Sequence, residues 1–136
     1  MNIVVAYDGS EPARRALDRA AALASQGASV TVVSAVSVQH PAAIGRTAGP
    51  VDPDELQERN RELAEAERLL AERGVHAKAI EVVGDPPDAI VEAAKEAGAD
   101  LIIVGTRGQS LAKRLMLGSV STGIVHHAHC DVLVVR

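Results

Sequence analysis

The chain has 136 residues, a length that buries one core and leaves too little for two, so a single domain over residues 1–136 is expected. With 47% hydrophobic and 24% charged residues its composition is that of a globular protein rather than a disordered chain. A net charge of −4 and a lone aromatic residue, Tyr7, argue against a nucleic-acid binder, which needs clustered Lys and Arg for phosphates and aromatic platforms for bases.

The first apolar run, Ile3-Val4-Val5-Ala6-Tyr7, reads as a strand covered on both faces. A helix should follow from an N-cap at Ser10, with Pro12 in its first turn, and stop before Gly27. Val30-Thr31-Val32-Val33-Ser34-Ala35-Val36 is the second strand, and residues 39–53, rich in Pro, Gly and Ala without a period, read as a long loop. Asp52 then caps a helix with Pro53 at its first position and Glu55 as the acidic half of a capping box; Leu56, Leu63 and Leu70 fall on one face before Gly74.

The third strand is expected within residues 75–83, at a sheet edge or partly covered, because His76, Lys78 and Glu81 interrupt it. Asp85-Pro86-Pro87-Asp88 opens a third capped helix, which Gly98 closes, and Asp100-Leu101-Ile102-Ile103-Val104 is the most apolar strand. After Gly105 come a loop, a helix from about Ser119 to His127 and the closing strand Val132-Leu133-Val134-Val135.

Parallel strands joined through helices cross over right-handed, so this alternation predicts an α/β fold. The expected form is an open, doubly wound, five-stranded parallel sheet of order 3-2-1-4-5 with helices on both faces, Rossmann-like. Such sheets bind ligands outside the carboxyl ends of the strands where the winding reverses, here between strands one and four, at Asp8 and Gly105.

Gly105-Thr106-Arg107-Gly108, followed after nine residues by Gly118-Ser119-Val120-Ser121, has the pattern G-x2-G-x9-G-S. Glycines admit close backbone approach and positive φ, and a helix starting near Gly118 would aim its free N–H groups at an anion, with Ser119 and Ser121 adding hydroxyls. The same glycines could instead merely cap elements. No G-x4-G-K-S/T is present and the first turn is not G-x-G-x-x-G, so neither a P-loop ATPase nor a dinucleotide oxidoreductase is supported.

Together with the start Ile3-Val4-Val5-Ala6-Tyr7-Asp8-Gly9-Ser10, Gly84-Asp85-Pro86 before the third helix, and the ending Ala128-x-Cys130-x-Val132-Leu133-Val134-Val135, that pattern resembles the universal stress protein family along essentially the whole chain. The resemblance implies ATP as ligand, with or without magnesium. It implies that Asp8 contacts the nucleoside, that Gly105, Gly108, Gly118 and Ser119 form the phosphate loop with Val120 and Ser121 beside it, and that Ala35, Ala6 and Val104 wall the adenine. Where the family commonly has proline around the last cysteine, this chain has His129 and Asp131, a departure at the entry to the last strand.

Asp8 could instead be only a turn former with Gly9 and Ser10, but with the phosphate loop opposite the ligand role is favoured. Arg107, Lys113 and Arg114 could neutralise a triphosphate or be solvated, Arg107 being the best placed. His126, His127, His129 and Cys130 point in different directions from a helix end, so no metal site is expected, and Cys130 reads as a small buried hydrophobe. No catalytic constellation can be assembled; Glu11 alone near the site is not a general base.

The leading expectation is a nucleotide-dependent regulatory module in stress survival, ahead of a slow ATPase or phosphotransferase and of a ligand-free interaction protein. A homodimer through the last strand is expected, because that strand is flat, apolar and terminal and the family resemblance points to its pairing with a second copy. With one cysteine, Cys130, neither an intrachain disulfide nor a cysteine zinc finger can form, which suits a reducing compartment. The start lacks the basic segment of a signal peptide and no run approaches the roughly 18–20 apolar residues of a membrane span, so a cytoplasmic protein without membrane contact is expected.

Overall fold

The computed structural model describes residues 1–38, 51–106 and 117–136. Five strands, β1 (Asn2–Ala6), β2 (Ser29–Val36), β3 (Lys78–Val83), β4 (Leu101–Gly105) and β5 (Asp131–Val135), alternate with four helices, α1 (Glu11–Ala24), α2 (Pro53–Ala71), α3 (Pro86–Glu96) and α4 (Ser119–His127). All strand pairs are parallel and the sheet order is β3-β2-β1-β4-β5, the order expected from the sequence. β3 lies at a sheet edge, one of the two placements expected for it.

Successive strand residues point to opposite faces, so a strand covered on both sides must be apolar throughout. Ile3, Val5, Val32 and Ile103 pack under α1 and α2 against Ala16, Leu17, Ala20, Leu63, Ala66 and Leu70. Val4, Ala6, Val33, Ile102 and Val104 pack on the other face against Ile90, Val91 and Ala94 of α3 and Ile124 of α4. The alanines of α1 let its axis lie close to the sheet, a closeness that matters at the site. Helices α1, α2 and α3 are each followed by a glycine at positive φ, Gly27, Gly74 and Gly98, which turns the chain back toward the next strand.

Two helix starts differ in detail from expectation. Asp52 does cap α2, its Oδ1 accepting the Asp54 N–H at 2.9 Å, but Glu55 does not complete a capping box; its Oε1 accepts the N–H of Ser37 at 3.2 Å and ties the end of β2 to α2. Asp85 sits at the N-cap of α3 without a side-chain cap bond. Pro87 at the second helical position has no N–H to offer it. Of the loop expected over residues 39–53, residues 39–50 lie outside the described residues; Val51 makes an antiparallel bridge to Val38, and Pro53 is already helical. Leu56 is only half-buried, unlike Leu63 and Leu70.

Since Asp52 is the side-chain cap of a 19-residue helix, Asp52→Ala is expected to cost about 1 kcal/mol, read as a lowered urea midpoint. A midpoint equal to wild type would mean that Pro53 alone sets the start of α2.

Candidate functional site

The sheet winds away from β1 in both directions, so the carboxyl ends of β1 and β4 open a crevice between diverging connections. A cleft of about 330 Å³ lies there.

Its first wall follows β1. Tyr7 N–H extends the β1–β2 pairing by bonding Val33 O at 3.0 Å, and the chain then turns at Gly9, whose φ is +79°. Asp8 Oδ1 accepts the Ser10 N–H at 3.0 Å, and Ser10 Oγ accepts the Ala13 N–H at 3.3 Å to cap α1. Asp8 therefore forms the turn and also lines the cleft.

The opposite wall is the start of α4. Thr106 N–H bonds Val135 O at 2.7 Å, and Gly118 N–H returns to Thr106 O at 2.6 Å, so the chain that leaves at Thr106 is brought back beside it. Gly118 is the N-cap of α4 and supplies no side-chain cap, which leaves the helix's first N–H groups to whatever occupies the cleft. Gly118, Ser119, Val120 and Ser121 all line it.

Three expectations about this segment need correcting. Gly118 has φ −66°, and Gly105 is not in the left-handed region either, so neither is there for positive φ. A Cβ on Gly105 would lie 2.7 Å from Pro12 Cβ and 2.9 Å from Ala13 N, so its absent side chain admits the first turn of α1. The Ser121 hydroxyl, expected to donate to a ligand, lies 3.0 Å from both Thr106 O and Gly118 O and closes the loop instead. Arg107, Gly108, Lys113 and Arg114 lie outside the described residues.

The floor is apolar: Ala6, Ala35 and Val104 line the cleft, joined by Ile90 and Pro86 of α3. Sequence reasoning missed those two, together with Tyr7, Ala13, Ser37, Glu55 and Arg59. Glu55 and Arg59 are four apart on α2, a spacing visible in the sequence, but nothing there says that this turn reaches the ends of β1 and β2.

Beside the cleft, Tyr7 is buried and its hydroxyl donates to Glu65 Oε1 at 2.8 Å, which also accepts from Arg14 Nε at 3.0 Å. Burial, reinforced by the Glu65 carboxylate and opposed by Arg14, pushes the Tyr7 phenol up to about 12 from 10.0. The folded state thus holds this proton more tightly than the unfolded chain; the resulting stability is complete below pH 10 and lost as pH rises through 12. As the chain's one tyrosine, Tyr7 should give a single phenolate absorbance transition, near 12 in the folded protein; a midpoint near 10 would show that the hydroxyl is open to water.

At the far end of α4, His127 Nδ1 lies 2.9 Å from Gly123 O, and burial followed by the Asp131 carboxylate pushes the Cys130 thiol up from its ordinary value.

The model of the universal stress protein family matches residues 1–136. The chain belongs to that family. It is 35% identical to the universal stress protein YxiE of Bacillus subtilis, over 98% of this chain and 97% of the relative. A universal stress protein solved in complex with cAMP is 34% identical, with TM-score 0.75, over 100% of this chain and 97% of that one. The universal stress protein of Archaeoglobus fulgidus in complex with dAMP is 30% identical, with TM-score 0.72, over 100% of this chain and 98% of the other. The fold these universal stress proteins share is the five-stranded arrangement described above. Among the described residues no helix is long and apolar enough to cross a membrane.

Proposed function

We propose that residues 1–136 form one nucleotide-binding domain that takes an adenine nucleotide, ATP with or without magnesium, and acts as a nucleotide-dependent regulatory module in the stress response of the cytoplasm. The observation that carries this reading is the α4 N-terminus, without a side-chain cap, facing Asp8 across an apolar floor. The complexes of the related proteins with cAMP and dAMP support it.

In this reading the phosphates sit on the N–H groups of Ser119, Val120 and Ser121, with Gly118 admitting them closely and Ser119 adding a hydroxyl. Gly105, Arg107 and Gly108 begin the same loop, Arg107 supplying positive charge. The adenine lies on Ala6, Ala35 and Val104, and Asp8 accepts a hydrogen bond from the nucleoside.

Calorimetry with ATP and magnesium on the wild type and Gly118→Val tests this. The backbone at Gly118, φ −66° and ψ 165°, admits a side chain without strain, so valine should cost only the small stability lost to a poorer N-cap. Affinity should fall at least tenfold, about 1.4 kcal/mol. A folded wild type that binds no nucleotide would leave the ligand-free interaction protein as the function.

The assembly we propose is a homodimer through the open edge of β5. Leu133 on that strand and Val125 on α4 are both exposed, which supports a covered surface there. Light scattering at micromolar concentration should give twice the monomer mass; a monomer would sink the dimer.

A further inference from the structure

The buried stripe of α2 changes character as it nears the cleft. Leu70, Ala66 and Leu63 are buried against the sheet, but the same face continues toward the N-terminus with Glu62, only 4% exposed, and Arg59. The Arg59 side chain is 18% exposed, lines the cleft, and holds Nη1 3.2 Å from Glu62 Oε2. Its Nε is shielded from solvent and has no hydrogen-bond partner among the described residues.

Stability does not account for this arrangement. A largely buried ion pair is often no more stabilising than apolar residues of the same volume, and an apolar side chain at position 59 would extend the stripe of Leu63. A guanidinium donor removed from water without an acceptor adds a further cost. A donor kept at such cost on a cleft wall is explained by an acceptor that arrives in the cleft.

We propose that Arg59 is a ligand-binding residue: its side chain turns toward the cleft when nucleotide binds, so that the Nε–Nη edge, shielded in this conformation, donates to the nucleoside part, with Glu62 orienting the guanidinium. The assignment rests on the nucleotide reading above. Position favours the nucleoside over the phosphates: α2 packs on β2 and β3, while α4 starts beyond the end of β4, and β1 lies between β2 and β4. Two strand spacings, about 9–10 Å, thus separate the two sides. The acceptors on the β2 side are then ring nitrogens and ribose oxygens. Asp8 accepts and Arg59 donates, so one end of the cleft reads both kinds of hydrogen-bonding group.

Adenosine, AMP and ATP with magnesium would be titrated by calorimetry into the wild type, Arg59→Gln and Arg59→Lys, each checked by thermal melt. Lysine keeps a cation for Glu62 and should keep the fold, but it lacks the planar fork. Both variants should lose about tenfold in affinity, by the same factor for every ligand the wild type binds. Wild-type affinity in Arg59→Lys would overturn the fork contact. A loss that grows from adenosine to ATP would make Arg59 a phosphate ligand, and no change in either variant would reduce it to a structural residue. Each of those outcomes leaves nucleotide binding standing; a wild type that binds none of the three ligands overturns the nucleotide reading and this proposal together.

Discussion

Replacing Ile103 with alanine is expected to destabilise the protein by about 2–5 kcal/mol, measured by urea unfolding. Ile103 is fully buried in β4, paired in register with Val5 on one side and Leu133 on the other. The face of α1 in its cluster includes the alanines Ala13, Ala16, Ala20 and Ala21, which have no rotamers with which to fill a void. The cost should therefore fall in the upper half of that range, a large share of the roughly 5–15 kcal/mol that holds a domain folded. Leu133→Ala, two strand edges away from the centre and 38% exposed, is the control and should cost much less. Equal losses at the two positions would mean that β5 is covered, as the homodimer requires.

Gly105→Ala should cost about 1–3 kcal/mol and Gly105→Val more. The clash is with Pro12 Cβ and with backbone atoms, Ala13 N and Pro12 C at 2.9 Å, so no side-chain rotation relieves it. The first turn of α1 would have to lift from β4, taking the Asp8–Ser10 turn with it. Gly105→Ala should therefore lower both the unfolding midpoint and nucleotide affinity, whereas Gly118→Val lowers affinity with only a small loss of midpoint. A Gly105→Ala protein with the wild-type midpoint would show that α1 is free to shift. The two glycines look alike in the pattern G-x2-G-x9-G-S, and only the surrounding backbone separates a packing glycine from a ligand-facing one.

That distinction marks the limit of what the chain reveals before folding. Its elements were legible because each carries local chemistry: β-branched runs for strands, Ser10 and Asp52 as caps, Pro12 and Pro53 in first turns, Gly27, Gly74 and Gly98 at the exits. The strand order was expected as the Rossmann-like arrangement of alternating strands and helices, and the crevice followed from the order. Contacts between distant segments were not legible. Glu55 satisfies its own helix's capping pattern, yet bonds Ser37 because β2 ends beside α2. Ser121 has a free hydroxyl on paper and spends it on Thr106, fifteen residues earlier. Arg59 looks like one more charge on a charged helix until the stripe it interrupts is known to be buried.

The central strand has two neighbours that reach it at very different times. β2 is close in sequence, but Asp100 N–H bonds Asn2 O, and Asn2 N–H bonds Asp100 Oδ2 at 2.7 Å, across 98 residues. On a ribosome adding about 5–20 residues per second, β1 waits several seconds after β2 is made before β4 emerges. Through that interval its second edge, lined by Val4 and Val5, is an unpaired apolar template open to any other nascent chain. Closing so wide a loop is the slow event that contact order penalises, so the folding rate should respond more to the β1–β4 seam than to any helix. Chaperone dependence during synthesis would then trace to the same seam whose far end forms the cleft.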